Sequence, residues 1–332
     1  MGRDEMLAML LGMLAAKGRQ EALLGSDLTP AREAFARMAP QKSEVHAYFE
    51  TPLSGERGLD VHCIVSKSAA FNAAPSNADP VWQDVVRWLY DVQSQNSDLN
   101  SVSVMAEADT SRNASARPGI GLIQRSATQL VEPFLALAGE APKASAWDRF
   151  ARNLPQGWKT SYVGIFLGRP QGLLRVNAHP ARRDALPLGQ ALEAFGYDVD
   201  ERSLEVLQRL AEMPRSFDLQ LDLDEQGQAR GVLGLELYVE GGDKTSLLSD
   251  DGRGARIMAL LQELGIADER WKTLADADMS RRVPVPVDGR LESCSLSLRK
   301  YSLKVKYADG EIGHAKAYLR GDAMLDEGEW EL

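Results

Sequence analysis

The chain has 332 residues, 44% of them hydrophobic, and its 48 acidic and 38 basic side chains give a formal net charge of −10. This length and apolar content suffice for a large buried core. The acidic balance argues against a nucleic-acid-binding protein, because such proteins present basic surfaces to phosphates. No apolar run reaches the roughly 18 residues of a membrane span. Cys63 and Cys294 are far apart in sequence and predict buried thiols in a reducing cytoplasm.

Residues 1–40 predict a helical segment that packs on the main domain. Met6, Leu10, Met13 and Leu14 keep one face of this segment apolar. The first five residues carry one Arg against an Asp and a Glu, which is the wrong charge for a secretory signal. We therefore expect a cytoplasmic protein whose N-terminal helices cover part of the domain that follows.

Five pairs of alternating strands follow, with helical patterns between them. The predicted hairpins lie at 45–66, 101–125, 161–177, 216–239 and 301–320, and the helices begin near 80, 127, 144, 187, 201 and 255. We interpret 41–320 as one domain, the Pro-rich segment Val283–Pro286 as a linker, and 321–332 as a frayed acidic tail.

The hairpins recur at a nearly fixed interval, which is typical of a repeated architecture. Each has one apolar and one polar face, because successive side chains of a strand point to opposite sides. Closing ten antiparallel strands removes both sheet edges and lets outer helices cover the apolar faces. The sequence therefore predicts an α+β fold: a ten-stranded antiparallel barrel of repeated α-β-β-α units with its polar faces turned inward.

The polar faces predict the lining of one lumen wide enough for a ligand. The predicted lining comprises His46, Tyr48, Glu50, Asp60, His62, Tyr162, Phe166, Arg175, Asn177, Asp218, Gln220, Asp222, Glu236, Tyr238, Lys304, Lys306, Lys316 and Tyr318. In the last hairpin, alternation assigns Lys304 and Lys306 to this polar face and Tyr301 to the apolar face. Buried carboxyls such as Glu50 and Glu236 are candidate general acids or bases.

This architecture resembles the PT barrel of the ABBA family of aromatic prenyltransferases. The sequence Lys316-Ala317-Tyr318 has the form of that family's Lys-x-Tyr steps, which hold a prenyl diphosphate. The resemblance implies anion-binding roles for Arg175, Tyr238, Lys304, Lys306, Lys316 and Tyr318. It also implies an aromatic shield of Tyr48, Tyr162 and Phe166, and a base toward the acceptor at Glu50.

The chain is also similar to proteins that accompany ribosomal-peptide (lanthipeptide-type) modification enzymes. The segments Gly234–Leu237 and Ala315–Leu319 carry this second resemblance, which implies a peptide substrate. It names no reaction.

The charge pattern departs from a simple diphosphate site, because the clear lysines sit on one hairpin while the fourth hairpin is acidic. Asp218, Asp222 and Glu236 either pair with the lysines or hold a Mg²⁺ that bridges to phosphate oxygens. No nucleotide-binding, zinc or serine-hydrolase motif is present.

Three functions fit the sequence. The first is prenyl transfer from an allylic diphosphate to an aromatic or peptide acceptor. The second is a hydrolase, isomerase or cyclase that uses a glutamate and a lysine in the same lumen. The third is a barrel that binds a peptide without reacting with it.

Overall fold

The structure is a computed structural model. It describes residues 3–25, 27–39, 44–66, 75–110, 117–124, 127–168, 173–181, 185–238, 252–274, 277–287 and 290–329. The predicted strand residues 125 and 239 and the last three residues of the predicted tail lie outside these ranges. Among the described ranges, none of the helices is long and apolar enough to cross a membrane.

Ten antiparallel strands close into a barrel, as the sequence predicted. The strands neighbour one another in the order β1 to β8, then β10 and β11, and β11 returns to pair with β1. The strands are β1 Glu44–Pro52, β2 Asp60–Val65, β3 Ser103–Ala108, β4 Gly119–Ile123, β5 Trp158–Phe166, β6 Leu174–Pro180, β7 Ser216–Leu223, β8 Ala229–Tyr238, β9 Met279–Val287, β10 Arg290–Ala308 and β11 Glu311–Glu329.

Helices lie between the hairpins and cover the outside of the barrel. They are α1 Arg3–Ala15, α2 Thr29–Met38, α3 Pro80–Gln95, α4 Val131–Leu137, α5 Ala144–Arg152, α6 Leu188–Phe195, α7 Glu201–Glu212 and α8 Arg253–Glu263. Asp79 caps α3, since its carboxylate accepts a hydrogen bond from the backbone N–H of Val81 at 2.9 Å. Asp200 caps α7 in the same way through Ser203.

The hydrophobic core lies between the outer face of the barrel and these helices. Strand residues such as Val163, Leu221 and Leu303 are fully buried there. Trp82 of α3 is also fully buried, and its indole N–H donates to the carbonyl of Met38 at 2.8 Å. Since the apolar strand faces point outward, the polar faces line the lumen. Cys63 and Cys294 are buried free thiols, as predicted.

Two sequence interpretations near the C-terminus are wrong. The predicted linker Val283–Pro286 lies within strand β9, which pairs with the first half of β10. The predicted tail continues β11 to Glu329, and Gly321–Met324 pair with both β1 and β10. Residues 321–324 therefore belong to the wall that closes the barrel.

Gly321 tests this correction, because its position leaves no space for a side chain. A Cβ there would lie 2.7 Å from Cε2 of Phe49 and 3.5 Å from Leu10 of α1. We expect Gly321→Ala to lower the free energy of unfolding by about 1–3 kcal/mol in denaturant titrations, because overpacking forces the core to shift. Gly313→Ala on the same strand meets nothing within 4 Å and serves as the control. Equal stabilities would contradict the packed position of residue 321.

Candidate functional site

The lumen contains two cavities, and every predicted lining residue except Phe166 faces one of them. The large cavity, of 920 Å³, is lined by His46, Tyr48, His62, Tyr162, Asn177, Asp218, Glu236, Tyr238 and Tyr318. The small cavity, of 370 Å³, lies toward the hairpin turns and is lined by Glu50, Asp60, Arg175, Asp222, Lys306 and Lys316. Gln220 and Lys304 line both cavities. Phe166 lies beneath Arg175, whose guanidinium carbon is 4.4 Å from the ring centroid.

A hydrogen-bonded cluster around Glu50 separates the cavities. The Tyr318 hydroxyl donates to Glu50 and accepts a hydrogen bond from Lys304 Nζ at 3.0 Å. Lys316 forms ion pairs with Glu50 and with Asp60, the latter at 3.2 Å. These groups come from β1, β2, β10 and β11, so the cluster forms only when β11 pairs with both of its neighbours.

Glu50 is held in its ionised form. Burial alone would raise its pKa, but Lys304, the nearby His62 and Lys316 together hold the pKa well below its usual range. The His62 ring nitrogen Nε2 lies 3.5 Å from Glu50. A carboxylate with a low pKa and occupied oxygens is a weak proton acceptor. Glu50 therefore serves as the counter-ion of the surrounding cations.

Glu236 has the opposite environment. It is the cross-strand partner of both Asp218 and Lys304, and it is 8% exposed. Burial and the charge of Asp218 raise its pKa from 4.5 to about 7, against the opposing effects of Lys304 and of Ser302. The Ser302 hydroxyl donates to Glu236 Oε1 at 2.7 Å. Glu236 is thus a buried carboxyl at the wall of the large cavity that changes protonation near neutral pH.

Asp218 is the second carboxyl with a raised pKa on this wall. Burial raises its pKa to about 6, although hydrogen bonds from Ser161 and Tyr238 lower it. The Ser161 hydroxyl lies 2.9 Å from Asp218 Oδ2, and the Tyr238 hydroxyl lies 3.3 Å from the same atom. Asp218 and Glu236 are therefore two neighbouring carboxyls on the wall of the large cavity whose negative charges are poorly compensated.

Lys306 is a poorly compensated cation in the small cavity, although carboxylates also line that cavity. Burial and the neighbouring charges of Lys304 and Lys316 lower its pKa from 10.5 to about 8. Two other cations of this cavity have carboxylate partners. Arg175 forms a bidentate pair with Asp222 at 2.8 and 3.0 Å, and Lys316 forms an ion pair with Glu50. Positive charge at Lys306 is therefore the least compensated, and an anion bound there would restore its usual pKa.

His46 lies at the rim of the large cavity. Its Nδ1 is 2.7 Å from Asp322, and this hydrogen bond raises the pKa of His46. Asp322 also accepts two hydrogen bonds from Arg320 Nε, one to each oxygen. Residue 322 was predicted to lie in a frayed tail, so this rim cluster was missed with it.

Tyr301 was predicted on the apolar face, and the structure places it in the lumen. A register shift between Lys300 and Ser302 turns both Tyr301 and Ser302 inward, as β-bulges do. The Tyr301 ring packs against Tyr48 with centroids 4.6 Å apart and against Tyr238 at 5.5 Å. A second shift, between Thr160 and Tyr162, turns Ser161 inward as well. Strict alternation gives no signal for either shift.

Tyr162 lies flat across two glycines of neighbouring strands. A Cβ on Gly121 would lie 2.1 Å from the Tyr162 ring, and one on Gly164 would lie 2.2 Å from its hydroxyl. Gly121 and Gly164 are cross-strand partners, so β4 and β5 together form a shelf without side chains. The shelf lets an aromatic ring cover the lumen wall without filling the cavity.

Asp218 and Asp222, proposed above as metal ligands, face different cavities. Asp222 is bound to Arg175, and in the described part of the chain no three His, Cys, Asp or Glu side chains converge to hold a metal. A Mg²⁺ that enters with a bound diphosphate stays a prediction, because Mg²⁺ in such sites keeps several waters and needs only one or two protein carboxylates beside the substrate phosphates.

Comparison with solved structures identifies the fold. The chain shares 14% sequence identity and a TM-score of 0.50 with 5-dimethylallyltryptophan synthase from Streptomyces coelicolor, over 95% of both chains. The prenyltransferase PriB aligns over the same share of both chains, with 13% identity and a TM-score of 0.47 for the apo form. Its ternary complex with L-tryptophan and dimethylallyl thiolodiphosphate aligns at 12% and 0.48. The first of these likenesses, together with the closed ten-stranded barrel, shows that the fold is the PT barrel.

Comparison of the amino-acid sequence with known proteins finds no match. The chain matches no protein-family model, and no curated protein matches it. The resemblance to proteins of ribosomal-peptide modification stays a prediction.

The stability of a Glu236→Gln variant tests whether the negative charge of Glu236 is uncompensated in the folded protein. Its folded pKa is raised, so the folded protein holds the proton more tightly than the unfolded chain and stability falls as pH rises from 4.5 to about 7. Above that window the buried charge costs up to about 3 kcal/mol. We expect Glu236→Gln to unfold at higher denaturant concentration than the wild type at pH 8 and to lose this advantage at pH 4.5.

The exposed Glu311→Gln provides the matched control, because it removes one carboxylate outside the lumen. It should leave the difference between pH 4.5 and pH 8 unchanged. A Glu236→Gln protein that is less stable than the wild type at pH 8 would show that the charge of Glu236 is compensated.

Proposed function

We propose that this barrel transfers a prenyl group from an allylic diphosphate to an electron-rich acceptor in the large cavity. The observation that carries the proposal is a pair of poorly compensated groups of opposite sign in adjoining cavities: the pKa values of Asp218 and Glu236 are raised in the large cavity, and that of Lys306 is lowered in the small one. The shared fold makes prenyl transfer the first reaction to test, although only the residues of the site can decide the function.

The charge separation matches the electrostatics of diphosphate ionisation. When the carbon–oxygen bond of an allylic diphosphate breaks, both electrons leave with the diphosphate and the prenyl group becomes a cation. The positive charges of Lys306 and Lys304 stabilise the departing diphosphate. The prenyl cation extends into the large cavity, where the carboxylates of Asp218 and Glu236 stabilise it. Because these groups are fixed before the reaction, they stabilise charge as it develops without reorganisation.

The large cavity has the aromatic lining that such a cation needs. Tyr48, Tyr238 and Tyr301 pack together on its wall, and Tyr162 covers the glycine shelf. Ring faces attract cations, and they offer no strong nucleophile to capture them. Burial of the phenols raises the pKa values of Tyr238 and Tyr301, so their hydroxyls stay protonated.

Glu236 is the base in this proposal, and Glu50 is a counter-ion. An acceptor carbon attacks the prenyl cation and forms a new carbon–carbon bond, which leaves a positively charged acceptor with one proton too many. The Glu236 carboxylate accepts that proton, and the aromatic system of the acceptor is restored. A pKa of about 7 suits this step, because the carboxylate is both available and basic near neutral pH.

A second function is favoured by the pairing of most lumen cations. Arg175, Lys316 and Arg320 each bind a carboxylate of the protein, so one uncompensated lysine carries much of the anion affinity. An acid–base enzyme for a ligand without diphosphate, using Glu236 with Lys304, fits this pairing. Its signature is turnover or binding of a polar ligand by a protein that ignores prenyl diphosphates.

Diphosphate binding should depend on the proton of Lys306. We expect calorimetric and thermal-shift titrations with dimethylallyl, geranyl and farnesyl diphosphate, with and without Mg²⁺, to show binding that weakens above pH 8, where Lys306 loses its charge. Lys306→Gln should lose roughly tenfold in affinity at pH 7. Lys306→Arg should keep its affinity at pH 9, because arginine stays charged. Absence of binding by all three diphosphates would exclude prenyl transfer.

Catalysis should report the pKa of Glu236. Tryptophan is the first acceptor to try, because 5-dimethylallyltryptophan synthase is named for a prenylated tryptophan. Mass spectrometry should detect a prenylated product whose rate of formation falls below about pH 7. Glu236→Gln should reduce kcat by roughly 10²- to 10⁴-fold and leave diphosphate affinity intact.

Two neighbours of Glu236 should shift this pH profile in opposite directions. Removing the Ser302 hydrogen bond in Ser302→Ala raises the pKa of Glu236 and moves the acidic limb to higher pH. Removing the charge in Asp218→Asn lowers the pKa of Glu236 and moves the limb to lower pH. Shifts in the same direction, or a limb that moves in neither variant, would assign the titration to another group.

A further inference from the structure

A pocket rich in arginine lies on the surface beside the large cavity. Its volume is 720 Å³, and we call it the arginine pocket; it is lined by Arg209, Glu212, Met213, Pro214, Arg215, Arg253 and Arg256. These residues come from the last turn of α7, the connection to β7 and the first turn of α8. One carboxylate therefore stands against four guanidinium groups.

Three of these arginines have no carboxylate partner in the part of the chain that the structure describes. Within the described ranges, no carboxylate forms an ion pair with Arg209, Arg215 or Arg256, whereas Arg175, Arg230 and Arg320 elsewhere each bind an aspartate. All three side chains are exposed. This pocket is therefore a local positive region on a protein whose net charge is −10.

Arg215 connects the arginine pocket to the lumen. Its side chain lines the arginine pocket and also the large cavity, together with Ala211 of α7. The next residue, Ser216, begins β7 and leads to Asp218 on the cavity wall. A molecule that extends from the arginine pocket past Arg215 therefore reaches the region of Asp218 and Glu236.

We propose that the arginine pocket binds an anionic group of the acceptor molecule, while the reacting end of the same molecule lies in the large cavity. This inference rests on the proposed function for the identity of the ligand as acceptor. It adds that the acceptor carries a carboxylate or a phosphate distant from its reacting atom. Met213 and Pro214 in the floor accommodate an apolar part next to that anion.

Anion binding can be measured without turnover. Calorimetric titration of the full chain at low salt with hexaglutamate and, separately, with inorganic phosphate tests the two sources of negative charge. We expect at least one probe to bind, with an affinity that falls as salt rises. The Arg209→Gln/Arg256→Gln double variant should bind it roughly tenfold more weakly, about threefold for each exposed charge. Preference for hexaglutamate indicates a carboxylate ligand, and preference for phosphate indicates a phosphorylated one.

Arg202→Gln is the matched control, because it removes the same charge from the other end of α7. It should bind the probes as the wild type does. Binding of neither probe, or equal affinity in the wild type and the double variant, would overturn the proposal. Arginine-dependent binding in a protein that ignores prenyl diphosphates would keep the anion site and reject prenyl transfer. Prenyl transfer by a protein that shows no arginine-dependent anion binding would support the proposed function and reject the anion site.

Discussion

The pairing of β11 with both β1 and β10 is the constraint on which the rest of the structure depends. It closes the barrel, and closure turns ten polar strand faces toward one another. It also places Tyr318, Lys316 and Lys304 opposite Glu50, so the cluster that divides the lumen exists only in the closed barrel. The same pairing fixes Gly321 against Phe49 and so attaches the barrel wall to α1. The closure of the barrel, the division of its lumen and the packing of α1 on its wall thus all depend on the pairing of β11.

The period-2 alternation of the strands was sufficient to predict the barrel and most of its lining, because an apolar residue at every second position permits only one orientation of the sheet. It failed where the period breaks. The register shifts at Lys300/Ser302 and Thr160/Tyr162 each turn one additional side chain toward the lumen. The alternation of polar and apolar residues in the sequence does not reveal them. Strand β9 was read as a linker because of Pro284 and Pro286, yet proline is tolerated on an edge strand, and in the described sheet β9 pairs with β10 alone.

The chemical roles of the carboxyls could not be assigned from the sequence. Glu50 and Glu236 occur in similar alternating strands, and both were candidate acids or bases. Their different behaviour depends on cross-strand partners distant in sequence: Glu50 meets Tyr318 and Lys316, while Glu236 lies between Asp218 and Lys304. Only the register of the closed barrel decides these neighbours. The polar face was therefore predictable, but the direction of each pKa shift was not.

Most charged side chains of the lumen have a partner of opposite charge, and a few do not. The few without a full partner indicate where the lumen is built for a reaction. Pairs such as Arg175 with Asp222 satisfy both members, so they stabilise the barrel or cost it little. Glu236, Asp218 and Lys306 instead have pKa values displaced toward neutral pH, which means that the folded state carries an unfavourable charge at each. Ten strands provide many positions where a paired or apolar side chain would remove that cost. Uncompensated charges of opposite sign in adjoining cavities are instead what a reaction needs when it separates charge between them.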